Sequence, residues 1–98
     1  MPSRTVSTTA EELLPRNRLR KSWVVQNEDL AINIFLKQER VATPTVSSTD
    51  HDHRLTGGSS LAITGDVDGI EAVQDRWTVI AASGTPRVSF FETEDVVR

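Results

Sequence analysis

Cysteine is absent from the 98-residue chain, which excludes disulfide staples, thiolate metal sites and cysteine nucleophiles and leaves the redox compartment open. Tyrosine is absent as well, and the only large rings are Trp23, Phe35, Trp77, Phe90 and Phe91. With 37% apolar residues the core is thin, so burial shared between copies of the chain is expected. Apolar runs are only a few residues long, far below the ~20 needed to cross a bilayer, so no membrane partner is expected. The opening stretch MPSRTVSTTAEELL lacks the apolar segment of about 7 residues that a secretory signal requires, so synthesis and initial residence in the cytoplasm are expected. A basic excess is also missing: 11 Lys and Arg stand against 14 Asp and Glu, a net charge of -3, which argues against a nucleic-acid partner.

What charge there is falls unevenly. Residues 1–49 carry seven basic and five acidic side chains (net +2), with Arg16, Arg18, Arg20 and Lys21 close together, whereas residues 50–98 carry four basic and nine acidic (net -5). One end of a copy could therefore pair with the other end of its neighbour. Periodicity of two dominates and helical spacing is nearly absent, so the chain reads as strands. Residues 3–9 are rich in β-branched and hydroxyl side chains with Val6 as the lone aliphatic, which suits an edge strand or an extended arm. Pro15 biases Leu14 away from helix, Leu13 and Leu14 are expected to plug one end of the fold, and residues 16–20 form a basic loop.

Residues 22–27 and 31–37, separated by Glu28-Asp29-Leu30, read as an antiparallel hairpin. The second of these has two partly apolar faces, Ile32, Ile34 and Leu36 on one and Ala31, Asn33 and Phe35 on the other, so it is expected to be covered on both sides. The polar segment 41–60 reads as the most exposed part. A short strand at 61–63, a tight turn at 65–69, a strong strand at 76–82, a hairpin turn at 83–86 and a final strand at 87–93 complete the pattern. Many short strands with frequent turns predict one all-β domain, an antiparallel sandwich or small barrel over residues 10–98, preceded by an N-terminal arm over 1–9.

Candidate chemistry is sparse. Asp50-His51-Asp52-His53 groups metal-ligand types, and in an extended segment the two imidazoles could chelate, but the spacing matches no known ligand set and a solvated loop is the preferred reading. Asp66-Val67-Asp68-Gly69 resembles the start of a calcium loop, yet its twelfth position is Trp77, which cannot ligate, so a turn is expected. Neither a nucleophile elbow nor a glycine-rich phosphate cradle occurs, and both histidines lie in the polar loop; no enzyme activity, metal or cofactor is expected. Trp23 and Trp77 could stack on sugars, but a Trp within an alternating strand is more often a core ring.

Residues 7–27, STTAEELLPRNRLRKSWVVQN, resemble the opening motif of small virion proteins of tailed bacteriophages, roughly T-T-A-x-x-L-L-P-x-N-x-x-R-K-S-x-x-I-Q-N. Thr8, Thr9, Ala10, Leu13, Leu14, Pro15, Asn17, Arg20, Lys21, Ser22, Gln26 and Asn27 fall on it. Residues 79–88, VIAASGTPRV, are similar to that family's closing hairpin, A-I-A-A-S-G-T-A-x-V, whereas residues 38–75 have no counterpart. The resemblance implies a jelly-roll-like β-sandwich that decorates or cements the phage head, or belongs to its fibre or tail apparatus. It further implies a dimer or trimer bound to the major capsid protein or another virion protein, on the capsid surface, after a stage in the host cytoplasm. Arg4, Val6, Leu13, Leu14, Arg16, Arg18, Arg20 and Lys21 are the expected partner-binding residues. The alternative reading is a sugar-binding module that touches host-surface glycans through Trp23 or Trp77 and the 38–60 loop.

Overall fold

The structure, a computed structural model, describes residues 3–39, 43–64 and 69–94. Strands β1 (Ser3–Thr5), β2 (Glu11–Leu14), β3 (Arg20–Asn27), β4 (Ile34–Gln38), β5 (His53–Leu55), β6 (Ser60–Thr64), β7 (Trp77–Ala81) and β8 (Arg87–Glu94) are accompanied, among the described residues, by one short helix, α1 (Ile70–Gln74). They form two four-stranded antiparallel sheets, ordered β1-β8-β3-β6 and β2-β7-β4-β5. In this order β1 pairs with β8, β2 with β7, β3 with β6 and β4 with β5. A long ribbon doubled back at the β4–β5 connection and wound over itself gives that pairing, which is the jelly roll of two Greek keys. The expected all-β, jelly-roll-like sandwich is therefore what the chain builds.

Alternation explains which side chains fill it. Trp23, Val25 and Asn27 of β3, Ile34 and Leu36 of β4, and Trp77, Val79 and Ala81 of β7 are buried and face the opposite sheet. Two bulges bend the rule. In β2 the register slips between Glu12 and Leu14, so the consecutive Leu13 and Leu14 both become buried. In β3 it slips between Arg20 and Ser22, which turns Arg20 inward although it is out of phase with Trp23.

Several sequence readings need correction. Residues 22–27 and 31–37 do not form a hairpin: β3 lies in one sheet and β4 in the other, and residues 28–33 are a corner between them. Buried Asn27 builds that corner, its Nδ2 donating to the carbonyls of Ile32 (2.6 Å) and Leu55 (3.2 Å) while its Oδ1 accepts from the N–H of Asp29 (3.2 Å). Residues 83–86 likewise join β7 to β8 across the sheets, so the C-terminal motif is no hairpin either. Among the described residues the one sequential strand pair is β4 with β5, and β5 lies inside the polar segment 41–60 that read as most exposed. The N-terminal segment is the edge-strand alternative: Ser3–Thr5 pairs with β8 of the same chain, and Val6, 1% exposed, crosses into the core with its N–H on the carbonyl of Pro86 (2.8 Å). An arm extended away from the domain is overturned for these residues. The turn at 65–68 lies outside the described residues, and with it the calcium-like aspartates.

The sequence reading also placed no helix after it. Helix α1 is too short to show a period, and the rings it serves explain it. Trp23 and Trp77 meet edge to face, centroids 4.9 Å apart at 60°, and both indole N–H groups donate to the carbonyl of Ala72, at 3.2 and 2.8 Å. One turn of helix thus satisfies the polar edge of both core rings.

Candidate functional site

The basic loop between β2 and β3 is the most strongly organised surface feature. Asn17 shapes it: its Oδ1 accepts from the N–H of Leu19 (3.0 Å), its carbonyl from Arg20 (3.2 Å), and its own N–H donates to the carbonyl of Gln74 (2.9 Å). Gln74 answers with its side-chain amide on the carbonyl of Arg18 (2.7 Å), which ties the loop to α1. Beneath it Arg20, 0% exposed, spreads its guanidinium over three carbonyls: Nε donates to Val73 (2.6 Å), Nη1 to Pro15 (3.1 Å) and Nη2 to Asp75 (2.7 Å). Glu92 of β8 lies 3.5 Å from Nη1 and balances the charge. A planar five-donor group is the side chain suited to such divergent acceptors.

This scaffold divides the expected partner-binding residues. Val6, Leu13, Leu14 and Arg20 are spent on the protein's own interior, so they cannot touch a partner, and their place in the candidate set is corrected. Arg4 is half-exposed and is held on β2, donating to the carbonyl of Glu12 (2.9 Å) and pairing with Glu11 (2.9 Å). Arg16, Arg18 and Lys21 point outward, and Leu19, 45% exposed, stands between them. The result is a ridge of cations around one apolar side chain. The alternation signal could not separate Arg20 from its basic neighbours, because only the bulge at Lys21 turns it inward.

The Asp50–His53 group does not converge. Asp50 pairs with Lys37 (2.7 Å), Asp52 accepts from the backbone N–H of Gln38 (2.8 Å), and His51 packs on Phe35 with centroids 4.7 Å apart. His53 faces Trp77 at 5.7 Å. Phe35 and Trp77 lie on opposite faces of the β2-β7-β4-β5 sheet, so the two imidazoles cannot close on one ion. Among the described residues no three His, Cys, Asp or Glu stand together where they could hold a metal.

Instead, segment 43–52 is a cover fastened over the outer face of that sheet, as the two-faced composition of β4 demanded. Val46 of the cover and Thr78 beneath it are buried, and the Glu39 carboxylate, 4% exposed, accepts from the N–H of Thr45 (2.9 Å) and from the hydroxyls of Thr45 and Thr78. Burial works to raise the Glu39 pKa, yet these hydrogen bonds, with the nearby Lys37 charge, outweigh it and hold the carboxyl below its usual value. Lys37 is in turn held above its ordinary value, first by its hydrogen bond to Asp50.

Neither indole is open to a sugar, since Trp23 is 0% and Trp77 2% exposed and both N–H groups are satisfied. The sugar-stacking role of these rings is thereby corrected. No helix among the described residues is long and apolar enough to cross a membrane. No protein family, curated protein or solved structure matches the chain.

Proposed function

We propose that the chain is a structural component of a bacteriophage virion, which decorates or cements the capsid by docking its basic ridge on an acidic surface of the major capsid protein and by associating with itself. The observation that carries this reading is the division of labour within residues 7–27. The positions shared with the virion-protein motif include Leu13, Leu14, Arg20 and Asn27, all buried, and Asn17, which folds the loop. Arg16, Arg18 and Leu19 fall on the motif's variable positions, and they face outward. The division holds within the loop 16–20, where the motif fixes the residues that build the scaffold and leaves the displayed ones variable; outside it Lys21, on a fixed position, is displayed and Trp23, on a variable one, is buried.

The jelly roll supports the same reading, since this double-sheet fold recurs in viral capsid domains, although a fold alone assigns no activity. Exposed ion pairs contribute only about 0.2 to 1 kcal/mol each, so the cations would set orientation and association rate while Leu19 and other apolar surface supply affinity. A mass-spectrometric inventory of purified phage particles encoded beside this gene tests the proposal. The chain is expected in fixed ratio to the major capsid protein, and Arg16→Glu with Arg18→Glu should release it from particles while the isolated domain stays folded. Particles that contain none of the chain would refute the reading.

A further inference from the structure

Four strands end the two sheets, β1 and β6 in one, β2 and β5 in the other. Natural proteins guard such edges with shortness, charge or irregular register, because unpaired backbone groups invite another chain. β1 and β5 are three residues long and carry Arg4 and Arg54, and β2 carries Glu11, Glu12 and a bulge. Among the described residues β6 has none of these three guards. Ser60-Leu61-Ala62-Ile63-Thr64 is five residues long, uncharged, free of proline, and in unbroken register with β3.

The phase of the ladder fixes what this edge offers. Asn27 N–H bonds the carbonyl of Ser59, so the residues of β6 that bond β3 are Leu61 and Ile63, and Ala62 at the strand centre turns its N–H and carbonyl to the open side. Ala62 is exposed, and it ends a row of apolar side chains that crosses the outer face from Phe91, 48% exposed, through Val24. A two-fold axis at Ala62 would set Ala62 beside its own copy and Ser60 beside Thr64. No like charges oppose each other, and the apolar row doubles in length.

We propose that two copies of the chain pair antiparallel along β6 about a two-fold axis at Ala62, which joins their β1-β8-β3-β6 sheets into one continuous sheet. The proposal rests on the self-association part of the reading above and not on particle binding, and isologous pairing of one patch with itself is the commonest route to a dimer. The test uses the isolated full chain, so its failure leaves the particle inventory untouched. Sedimentation equilibrium should give twice the 10.9 kDa chain mass. Ala62→Lys, which sets two ammonium groups side by side at the axis, should give a single chain mass with unchanged circular dichroism and melting temperature. Because the chain has no cysteine, Ala62→Cys provides a second readout: a short bismaleimide should capture an SDS-stable dimer, whereas Leu30→Cys, at a site 85% exposed on the 28–33 corner, should not be captured. A wild-type chain that stays monomeric at millimolar concentration overturns the proposal. So does a dimer that survives in a folded Ala62→Lys chain, or one that Ala62→Cys fails to capture.

Discussion

Replacing Arg20 by Met keeps the apolar stem of the side chain and removes its charge and all its donors. The carbonyls of Val73, Pro15 and Asp75 then lose a partner at 2.6, 3.1 and 2.7 Å, and Glu92 loses its counter-charge. Each stranded polar group costs about 1 to 3 kcal/mol where water cannot reach it, and removing one partner of a buried ionic cluster costs about 3 to 5 kcal/mol in total. Pro15 and Glu92 are partly solvated and will recover some of the loss, so a destabilisation of about 3 to 4 kcal/mol is expected from these principles. Against a typical total of 5 to 15 kcal/mol that is a large fraction. Arg20→Lys should recover only part of it, since one ammonium cannot reach three carbonyls that diverge in this way. Urea unfolding followed by the fluorescence of Trp23 and Trp77, which share the Ala72 carbonyl of the same helix, gives the number directly. If Arg20→Met falls within about 0.5 kcal/mol of the wild type, as an ordinary surface substitution does, Arg20 does not hold this end of the sandwich together and the buried-fork argument fails.

Trp77→Ala should lower stability by about 3 to 5 kcal/mol in calorimetry, because it empties a large buried ring and leaves Trp23 without its edge contact; an unchanged melting temperature would place the ring at the surface. Glu39 gives a pH signature. Its carboxyl is held below the usual 4.5, so the folded chain binds fewer protons than the unfolded one between the two values; the stabilisation is complete above 4.5 and is lost as pH falls through the lower native value. Glu39→Gln should therefore be less stable than the wild type at pH 7, and the gap in unfolding free energy should narrow on acidification; a gap that is constant with pH refutes the assignment. Gly57→Ala should cost about 1 to 3 kcal/mol in urea unfolding, because a Cβ there would lie 2.4 Å from the carbonyl oxygen of Leu30, a backbone atom with no freedom to yield. A neutral Gly57→Ala would mean that the 28–33 corner is not packed against residue 57.

The elements of the fold were legible in the sequence because alternation is a local signal. Trp77, Val79 and Ala81 stand two apart and share the core, and no other information is needed to place them. Sheet membership was not legible. Glu28-Asp29-Leu30 and Ser83-Gly84-Thr85-Pro86 each mark a reversal, but a turn between strands of one sheet and a corner between two sheets use the same residues. What distinguishes them here is Asn27, whose buried amide reaches Leu55 far along the chain. The basic loop was legible as a patch, yet not its division into Arg20 inside and Arg16, Arg18 and Lys21 outside, which depends on one inserted residue in the ladder. The cover over β4 left a trace in the apolar Phe35 on the second face of that strand. Its fastening through Glu39, Thr45 and Thr78 left none, because a lone Glu in a polar stretch reads as solvated.

The wound ribbon carries a kinetic consequence. Only β4 and β5 are neighbours along the chain, and the other three outer pairings are nested around them, β3 with β6, then β2 with β7, then β1 with β8. Closing a loop costs entropy that grows with its effective length, so pairing β1 to β8 first would confine nearly the whole chain for one three-residue ladder. Once an inner pair has formed, the next one closes only the short remainder, and assembly is cheapest from the middle outwards. The cover at 43–52, which bridges the innermost pair, then lies at the origin of folding, and the two ends of the chain are the last to be joined and the first to come apart.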